Sequence, residues 1–316
     1  MSRSLDYFVL DVFTETPLSG NPLAVFPNAN GLSTETMQAI AREMNLSETT
    51  FIERRAPAIE RAEGVRVRIF TTEEELPFAG HPTLGTASLL RAIAPESVAH
   101  NETTDLVRLA LNVGTIPVRF ELHFSPDTLW PARGEMTQRD PEFLAELDRS
   151  TVASLIGLEE EDLDPERPVQ IVSTGTPFAI VPLWSAASLS RLRVRQDQAS
   201  TYLRSRGARW FYVLGPEAQL HQDALPVWRA RMQFSGGEDP ATGSAAGCAI
   251  SYLVARRAVP SEQQIHLRQG IEINRHSNLF LTATLLPNIA DAGPIIRNVH
   301  VAGSTVLVAK GELFLP

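Results

Sequence analysis

The sequence has one cysteine and one lysine among its 316 residues, and both scarcities restrict the chemistry. A single thiol, Cys248, excludes an intrachain disulfide, a multi-cysteine zinc site and a two-thiol mechanism. Because Cys248 lies inside an apolar segment, we expect a small buried hydrophobe rather than a nucleophile. The only lysine, Lys310, lies in a strand-like stretch near the C-terminus, which argues against a Schiff-base or pyridoxal-type mechanism.

Positive charge and long hydrophobic runs are also scarce. Acidic residues outnumber basic ones by 37 to 28, and the net charge of −9 argues against nucleic acid as a partner. No window offers about 18 unbroken apolar residues, so we expect no membrane span. The chain runs from Met1 directly into a strand pattern without a signal peptide, which predicts a cytoplasmic location. Its length suits two domains with a large core.

The most informative stretch is 236–247, which precedes an apolar run and is typical of a helix N-terminus. Asp239 stands ahead of Pro240, an order that suits a first helical turn and the positive end of the helix dipole. Gly243 and Ser244 would allow backbone N–H groups and a hydroxyl to face an anion. This stretch therefore predicts an anion-binding helix start.

An earlier stretch repeats the pattern at an offset of 158 residues, half the chain length. Pro82 aligns with Pro240, and His81 aligns with Asp239. The helix that follows, to about Ile93, is apolar or small on nearly all sides, which is typical of a buried helix. We therefore predict two similar halves, each with a strand leading into a buried helix whose N-terminus faces a shared cleft.

The remaining pattern consists mainly of short strands, which predicts an α+β fold with each half a curled sheet around a helix. A helix capped by Ser33 should end at Asn45. The polar segment 140–165 is expected to hold two short helices, one of them capped by Ser150. We expect the N-terminal half to comprise 1–130 plus 304–316, and the C-terminal half to comprise 131–303.

Four blocks of the sequence resemble the PhzF family of phenazine-biosynthesis-like isomerases. The last block, with its Glu-Asp-Pro-Ala-Thr-Gly-Ser-Ala core, is the most specific. Stretches at 301–304 and 311–313 resemble the closing strands of the family, so the likeness covers nearly the whole chain. The four blocks are 11–13 with 19–25, 45–51, 77–83 and 237–245.

This resemblance implies a diaminopimelate-epimerase-like fold of two pseudo-symmetric halves, each a β-barrel around a central helix, with the active site between them. It also implies a homodimer. The epimerases of this fold use two cysteines, whereas the corresponding turns here contain His81 and Asp239 instead. Thiol-based inversion is therefore not expected.

The resemblance also implies roles for individual residues. The glutamate of the Asn-Leu-Ser-Glu motif is the general acid/base of PhzF-type members, and it corresponds to Glu48. His81 and Asp239 match the histidine and aspartate that line the same cleft. The candidate substrate-binding residues are Asn21, Ser47, Gly80, Gly243 and Ser244.

Each candidate also has a plainer explanation. Glu48 follows a helix end, where glutamates are commonly just solvated, and Asp239 is suited to capping a helix. Asn21 is flanked by turn-forming residues and could serve only the turn. Gly243 and Ser244 could permit close helix packing. The chain further departs from the family after Gly270, and the role of the polar segment 131–167 stays open.

We expect a cofactor-independent isomerase that moves a proton on a small carboxylate-bearing substrate. Between closed domains, a carboxylate at Glu48 would lose hydration and its pKa would rise, so that it could accept and return a proton. His81 and Asp239 would steer charge and supply hydrogen bonds. No metal, dinucleotide or serine-hydrolase motif is present. The alternatives are a non-catalytic small-anion-binding protein, and an epimerase or dehydratase on the same fold.

Overall fold

The computed structural model describes residues 4–100, 104–121, 130–218, 225–287 and 293–315. Its contacts divide the chain into two compact units. The N-terminal unit is Met1–Thr137 with Ala302–Pro316, and the C-terminal unit is Gln138–Val301. None of the helices in the described ranges is both long and apolar enough to cross a membrane.

The described residues of the N-terminal unit form nine strands, three α-helices and the last part of a long strand shared with the other unit. Its helices are α1 (Thr34–Met44), α2 (Pro57–Glu63) and α3 (Gly80–Ile93). Its strands are β1 (Ser4–Val12), β2 (Asn21–Phe26), β3 (Glu48–Glu53), β4 (Val65–Phe70), β5 (Glu75–Leu76), β6 (Val98–His100), β7 (Thr104–Leu111), β8 (Gly114–Glu121) and β9 (Ala132–Thr137), and the shared strand is β19 (Ile295–Phe314).

The strands of the N-terminal unit pair into a closed ring. β1 lies antiparallel to β19 and β2, β2 lies parallel to β3, and β3 lies antiparallel to β4. β4 continues in parallel to β7, which leads through antiparallel β8 to β9. β9 also pairs with β19, which completes the ring. Parallel neighbours need long crossovers, and α1 and α3 lie in the two crossovers of this unit.

Within the described ranges, the C-terminal unit contains three α-helices and the remaining strands. Its helices are α4 (Arg149–Ile156), α5 (Gln196–Arg206) and α6 (Gly243–Ala255). Its strands, besides the first part of β19, are β10 (Glu142–Leu147), β11 (Val169–Ser173), β12 (Pro177–Pro182), β13 (Trp210–Pro216), β14 (Val227–Arg231), β15 (Gln233–Phe234), β16 (Gly237–Glu238), β17 (Ile265–Gln269) and β18 (Ser277–Leu286).

The C-terminal unit repeats the pairing pattern of the N-terminal unit. From β11 through β12, β13, β14 and β17 to β18, successive pairs are antiparallel, parallel, antiparallel, parallel and antiparallel. The series from β1 through β2, β3, β4 and β7 to β8 alternates in the same way. Helix α5 occupies the place of α1, and α6 occupies the place of α3. The expected α+β fold of two similar halves is confirmed.

A helix that is buried on all sides forms the centre of each unit. Every residue of α3 from Gly80 to Leu90 is buried, and the helix packs against β1, β2, β3, β7, β8 and β9. A Cβ atom at Gly85 would lie 2.6 Å from the Leu23 side chain, so a larger residue there would displace side chains packed between β2 and α3. In the C-terminal unit, α6 packs against β11, β12 and β18.

Local capping predictions have mixed outcomes. Ser33 caps α1 by accepting from the Thr36 N–H, and Asn45 ends the helix in the left-handed conformation (φ 49°), as predicted. The prediction of Ser150 as a cap is wrong. The N-cap of α4 is Asp148, because its carboxylate accepts both the Thr151 N–H at 2.8 Å and the Ser150 hydroxyl at 2.9 Å.

The same polar segment also differs from prediction in its content. Its second helix is a single 3₁₀ turn, Glu160–Asp162, and strand β10 was missed altogether. The β10 sequence, Glu-Phe-Leu-Ala-Glu-Leu, does not alternate between apolar and polar residues. Its strand conformation comes from antiparallel pairing with β11, which a local pattern does not reveal.

Gly247 gives a test of packing around α6. A Cβ atom there would lie 2.0 Å from Gln138 Oε1, and Gln138 bonds the Gly243 carbonyl and the Thr174 hydroxyl. We expect Gly247→Ala to lower the free energy of unfolding by about 1–3 kcal/mol, measured by urea denaturation. In a Gln138→Ala background, which removes the clash, the same change should cost less. If the losses in the free energy of unfolding of the two single variants simply add in the double variant, this account is wrong.

Candidate active site

Three elements of the N-terminal unit bring Asn21, Glu48 and His81 together. Asn21 is the first residue of β2, and Glu48 is the first residue of β3. These strands are parallel, with Leu23 paired to Glu48, so both begin at the same edge of the sheet. His81 is the second residue of α3 and reaches both side chains. Sheet register and one helix start therefore assemble this group.

The His81 ring lies between Asn21 and Glu48. Its Nδ1 is 3.1 Å from the Asn21 amide nitrogen, and its Nε2 is 3.5 Å from Glu48 Oε2. The Asn21 amide nitrogen can donate to Nδ1 only in the tautomer that leaves Nδ1 unprotonated, and the Pro22 carbonyl accepts a hydrogen bond from the ring. Nε2 lies beside the Glu48 carboxylate, but it makes no hydrogen bond within the described residues.

Burial determines the charge of His81. The residue is only 2% exposed, and this burial lowers the pKa of His81 to about 3. The contact with Glu48 would be an ion pair only if the imidazole were protonated. At neutral pH the imidazole is therefore uncharged, and it lies beside the carboxylate as a neutral group.

The neighbouring candidates lie at the same sheet edge and helix start. The Glu48 side chain keeps 16% of its surface exposed, so solvent or a ligand can reach it. Ser47 directly precedes β3 and is half-buried. Gly80 is buried at the first position of α3, where the N–H groups of the first turn have no partner within the helix.

The second special turn differs from its aligned counterpart. Helix α6 begins at Gly243 with Thr242 as its N-cap, so the expectation that Asp239 caps this helix is wrong. Pro240 lies before the helix, whereas Pro82 lies within the first turn of α3. The Gln269 side chain donates to the Asp239 carbonyl and accepts from the Thr242 N–H, and these bonds replace helical ones.

The candidates Asp239, Gly243 and Ser244 cluster at this start of α6. Asp239 Oδ2 accepts the Thr242 hydroxyl at 2.6 Å, and the Gly243 carbonyl accepts from Gln138 Nε2 at 2.8 Å. Asp239 and Ser244 are 7% and 5% exposed. The first N–H groups of α6 lack partners within the helix and lie at its positive end, so this turn is suited to an anion.

The sequence did not single out the two glutamines that hold this turn. Gln269 is fully buried and Gln138 is 5% exposed, and they come from positions 30 and 105 residues away from their partners in the turn. A glutamine amide offers two donors and two acceptors to backbone groups that are not in a helix or sheet. No local pattern marks this role, because it depends on distant chain segments meeting.

Cys248 and metal ligands complete the inventory of reactive groups. Cys248 is buried within α6, and burial raises the pKa of its thiol to about 11, so the expectation of an inert thiol is confirmed. Across the described ranges, no group of three or more His, Cys, Asp or Glu side chains is arranged to hold a metal ion.

A cavity of about 290 Å³ in the N-terminal unit contains none of the candidate residues. Its polar side chains are engaged elsewhere: Glu75 accepts from Arg68, and Gln38 donates to the Thr71 carbonyl. We assign it no role in the site. It is lined by Thr34, Glu35, Gln38, Arg42, Phe70 and Glu75.

Known proteins similar to this chain share its whole length. A trans-2,3-dihydro-3-hydroxyanthranilate isomerase from Pseudomonas aeruginosa is 35% identical, over 98% of this chain and 99% of that protein. A solved structure from the same organism, described as a predicted epimerase, is 34% identical with a TM-score of 0.77, over 98% and 99% of the two chains.

A more distant structure shows how widely the fold is shared. A probable proline racemase from Agrobacterium radiobacter has a TM-score of 0.61 at 11% identity, over 98% of this chain and 92% of that chain. At that identity the likeness concerns the fold alone. The family model described as phenazine biosynthesis-like protein matches residues 10–311. The chain belongs to this family, the PhzC-PhzF family.

Proposed function

We propose that this isomerase moves a proton on a small carboxylate-bearing substrate without a cofactor, and that Glu48 is the general acid/base. One observation carries the proposal: the Glu48 carboxylate is partly exposed at a strand edge, 3.5 Å from the buried, neutral imidazole of His81. A buried histidine with a perturbed pKa beside a partly exposed carboxylate is typical of catalytic sites.

The proposed reaction balances within the substrate and one side chain. Glu48 removes a proton from a carbon next to an unsaturated or carbonyl-activated centre, and the electron pair shifts along the substrate. The same carboxyl group then returns the proton to another carbon. His81 stays neutral throughout, so it can lie beside the carboxylate without competing for the proton. Asn21 holds the imidazole ring in place through its contact with Nδ1.

The remaining candidates are proposed to hold the substrate. The N–H groups of Gly243 and Ser244 would bind the substrate carboxylate, and the N–H of Gly80 would do the same at the start of α3. Asp239 would accept a hydrogen bond from the substrate, and Ser47 would contact it beside Glu48. The expected homodimer stays a prediction that rests on the family resemblance, and the cytoplasmic location stays a prediction that rests on the sequence.

The two helix starts, whose first N–H groups are suited to an anion, support a substrate that carries a carboxylate. The dihydro-hydroxyanthranilate named for the Pseudomonas aeruginosa relative carries a carboxylate and is the first compound to assay. Epimerisation is the second candidate, because a 34% identical protein of solved structure is described as a predicted epimerase. Inversion by two thiols is excluded, since the one cysteine is buried and protonated.

Glu48→Gln tests the assignment of the base. The amide keeps the size of the side chain but cannot take up a proton, so we expect kcat to fall by about 10²–10⁴-fold while ligand binding stays within a few fold. Turnover and solvent-deuterium incorporation into the substrate are measured together with calorimetric binding. A Glu48→Gln enzyme with normal turnover would show that another group is the base.

Glu53→Gln is the matched control for this substitution. Glu53 lies at the other end of β3 and faces Arg66, 3.8 Å away. We expect it to leave kcat unchanged. A protein that binds the compound but never incorporates deuterium, in either the unchanged or the variant chain, would indicate a binder rather than a catalyst.

The buried neutral state of His81 predicts a pH dependence of stability. The folded-state pKa of about 3 lies below the unfolded value near 6.5, so the unfolded chain binds the extra proton between these values. The contribution of the neutral, buried His81 to the free energy of unfolding is therefore fully present above about pH 6.5. It is lost as the pH falls toward the folded-state pKa of about 3. Between pH 7 and pH 5, the unchanged protein should lose about 2 kcal/mol more than His81→Asn in urea denaturation. Equal losses would indicate that His81 is charged beside Glu48.

A further inference from the structure

Gln269 occupies the centre of a buried hydrogen-bond cluster in the C-terminal unit. It is the last residue of β17 and is fully buried. Its Nε2 donates to the Asp239 carbonyl at 2.8 Å and to Thr242 Oγ1 at 2.9 Å. Its Oε1 accepts from the Thr242 N–H at 3.1 Å and from the Tyr212 hydroxyl at 2.9 Å. All four hydrogen-bonding positions of the amide are therefore used.

Backbone groups determine the orientation of this amide. The Thr242 N–H can only donate, so the atom facing it is the amide oxygen. The Asp239 carbonyl can only accept, so the atom facing it is the amide nitrogen. In a flipped amide, the nitrogen would face the Thr242 N–H and the oxygen would face the Asp239 carbonyl. Both mismatches would be buried, and they would cost far more free energy than a lost surface hydrogen bond.

This orientation fixes the direction of every other bond in the cluster. Thr242 Oγ1 faces the amide nitrogen and must accept from it, so its own proton goes to Asp239 Oδ2 at 2.6 Å. Tyr212 faces the amide oxygen and must donate. Burial, together with the charge of Asp239, raises the pKa of Tyr212 well above its usual value, so the tyrosine keeps its proton.

We propose that Tyr212, Gln269 and Thr242 are positioning residues for the isomerase reaction, acting as a directed hydrogen-bond chain that holds the Asp239 carboxylate. The chain runs from the Tyr212 hydroxyl to Gln269, from Gln269 to the Thr242 hydroxyl, and from Thr242 to Asp239. The Thr242 proton is committed to Asp239 and is not available to the substrate. This inference rests on the proposed role of Asp239 at the substrate.

Substitutions at Thr242 test the last bond of the chain. Thr242→Val keeps the shape of the side chain but leaves Asp239 Oδ2 and Gln269 Nε2 without this hydroxyl. We expect kcat to fall roughly 10–100-fold with KM changed less than threefold, because hydrogen bonds to charged groups are the stronger ones. Thr242→Ser retains the hydroxyl and should restore kcat to within about threefold of the unchanged enzyme.

Tyr212→Phe tests the far end of the chain, and Tyr252→Phe is its matched control. Both tyrosines are fully buried in the C-terminal unit, and the Tyr252 hydroxyl donates to the Pro168 carbonyl at 2.6 Å, outside the chain. We expect Tyr212→Phe to lower kcat about 3- to 10-fold and Tyr252→Phe to leave it unchanged, although both lower the melting temperature. Equal kcat in these two variants would overturn the proposal.

Asp239→Asn separates this inference from the proposed function. If Asp239→Asn keeps normal kcat and KM, the proposed role of Asp239 at the substrate is wrong. If Asp239→Asn is impaired but Thr242→Val matches Thr242→Ser, Asp239 acts without the chain and the positioning inference is wrong. If Thr242→Val fails to fold, the comparison of kcat in Tyr212→Phe and Tyr252→Phe tests the positioning inference instead.

Discussion

A helix that is apolar on every side must be enclosed by protein, and this requirement organises both units. In each unit the enclosing strands alternate between parallel and antiparallel pairing, and the central helix lies in a crossover between parallel strands. Enclosure buries the helix start as well as its sides. The first N–H groups of a helix lack internal partners, so a buried start demands polar groups around it. Gly80 and His81 lie at the start of α3, and Gly243 and Ser244 lie at the start of α6.

The starts of α3 and α6 are surrounded by different polar groups. At α3 the aligned position is His81, which burial keeps neutral and which faces Glu48. At α6 the aligned position is Asp239, whose carboxylate accepts from Thr242 while Gln269 supports the backbone. The same fold element thus places a neutral imidazole beside a carboxylate in one unit, and a hydrogen-bonded carboxylate in the other.

Sequence reasoning succeeded where structure depends on neighbouring residues. The caps of α1, the all-round burial of α3 and α6, and the family motifs could all be identified from short windows. It failed where distant segments decide. Asp148 rather than Ser150 caps α4, because a carboxylate can accept several hydrogen bonds. Strand β10 forms through pairing with β11. The Thr242 N–H is bonded to the distant Gln269 side chain, and α6 begins only at the next residue. The contact of His81 with Glu48 likewise depends on the register of β2 with β3.

The enclosed position of Cys248 has a practical consequence for spectroscopy on this protein. Its thiol is buried in α6 and remains protonated at neutral pH, so maleimides and other thiol-directed reagents find almost no thiolate to attack. A cysteine introduced on the surface would then be the one reactive site. Fluorophores or spin labels can therefore be attached at chosen positions without first replacing the native residue.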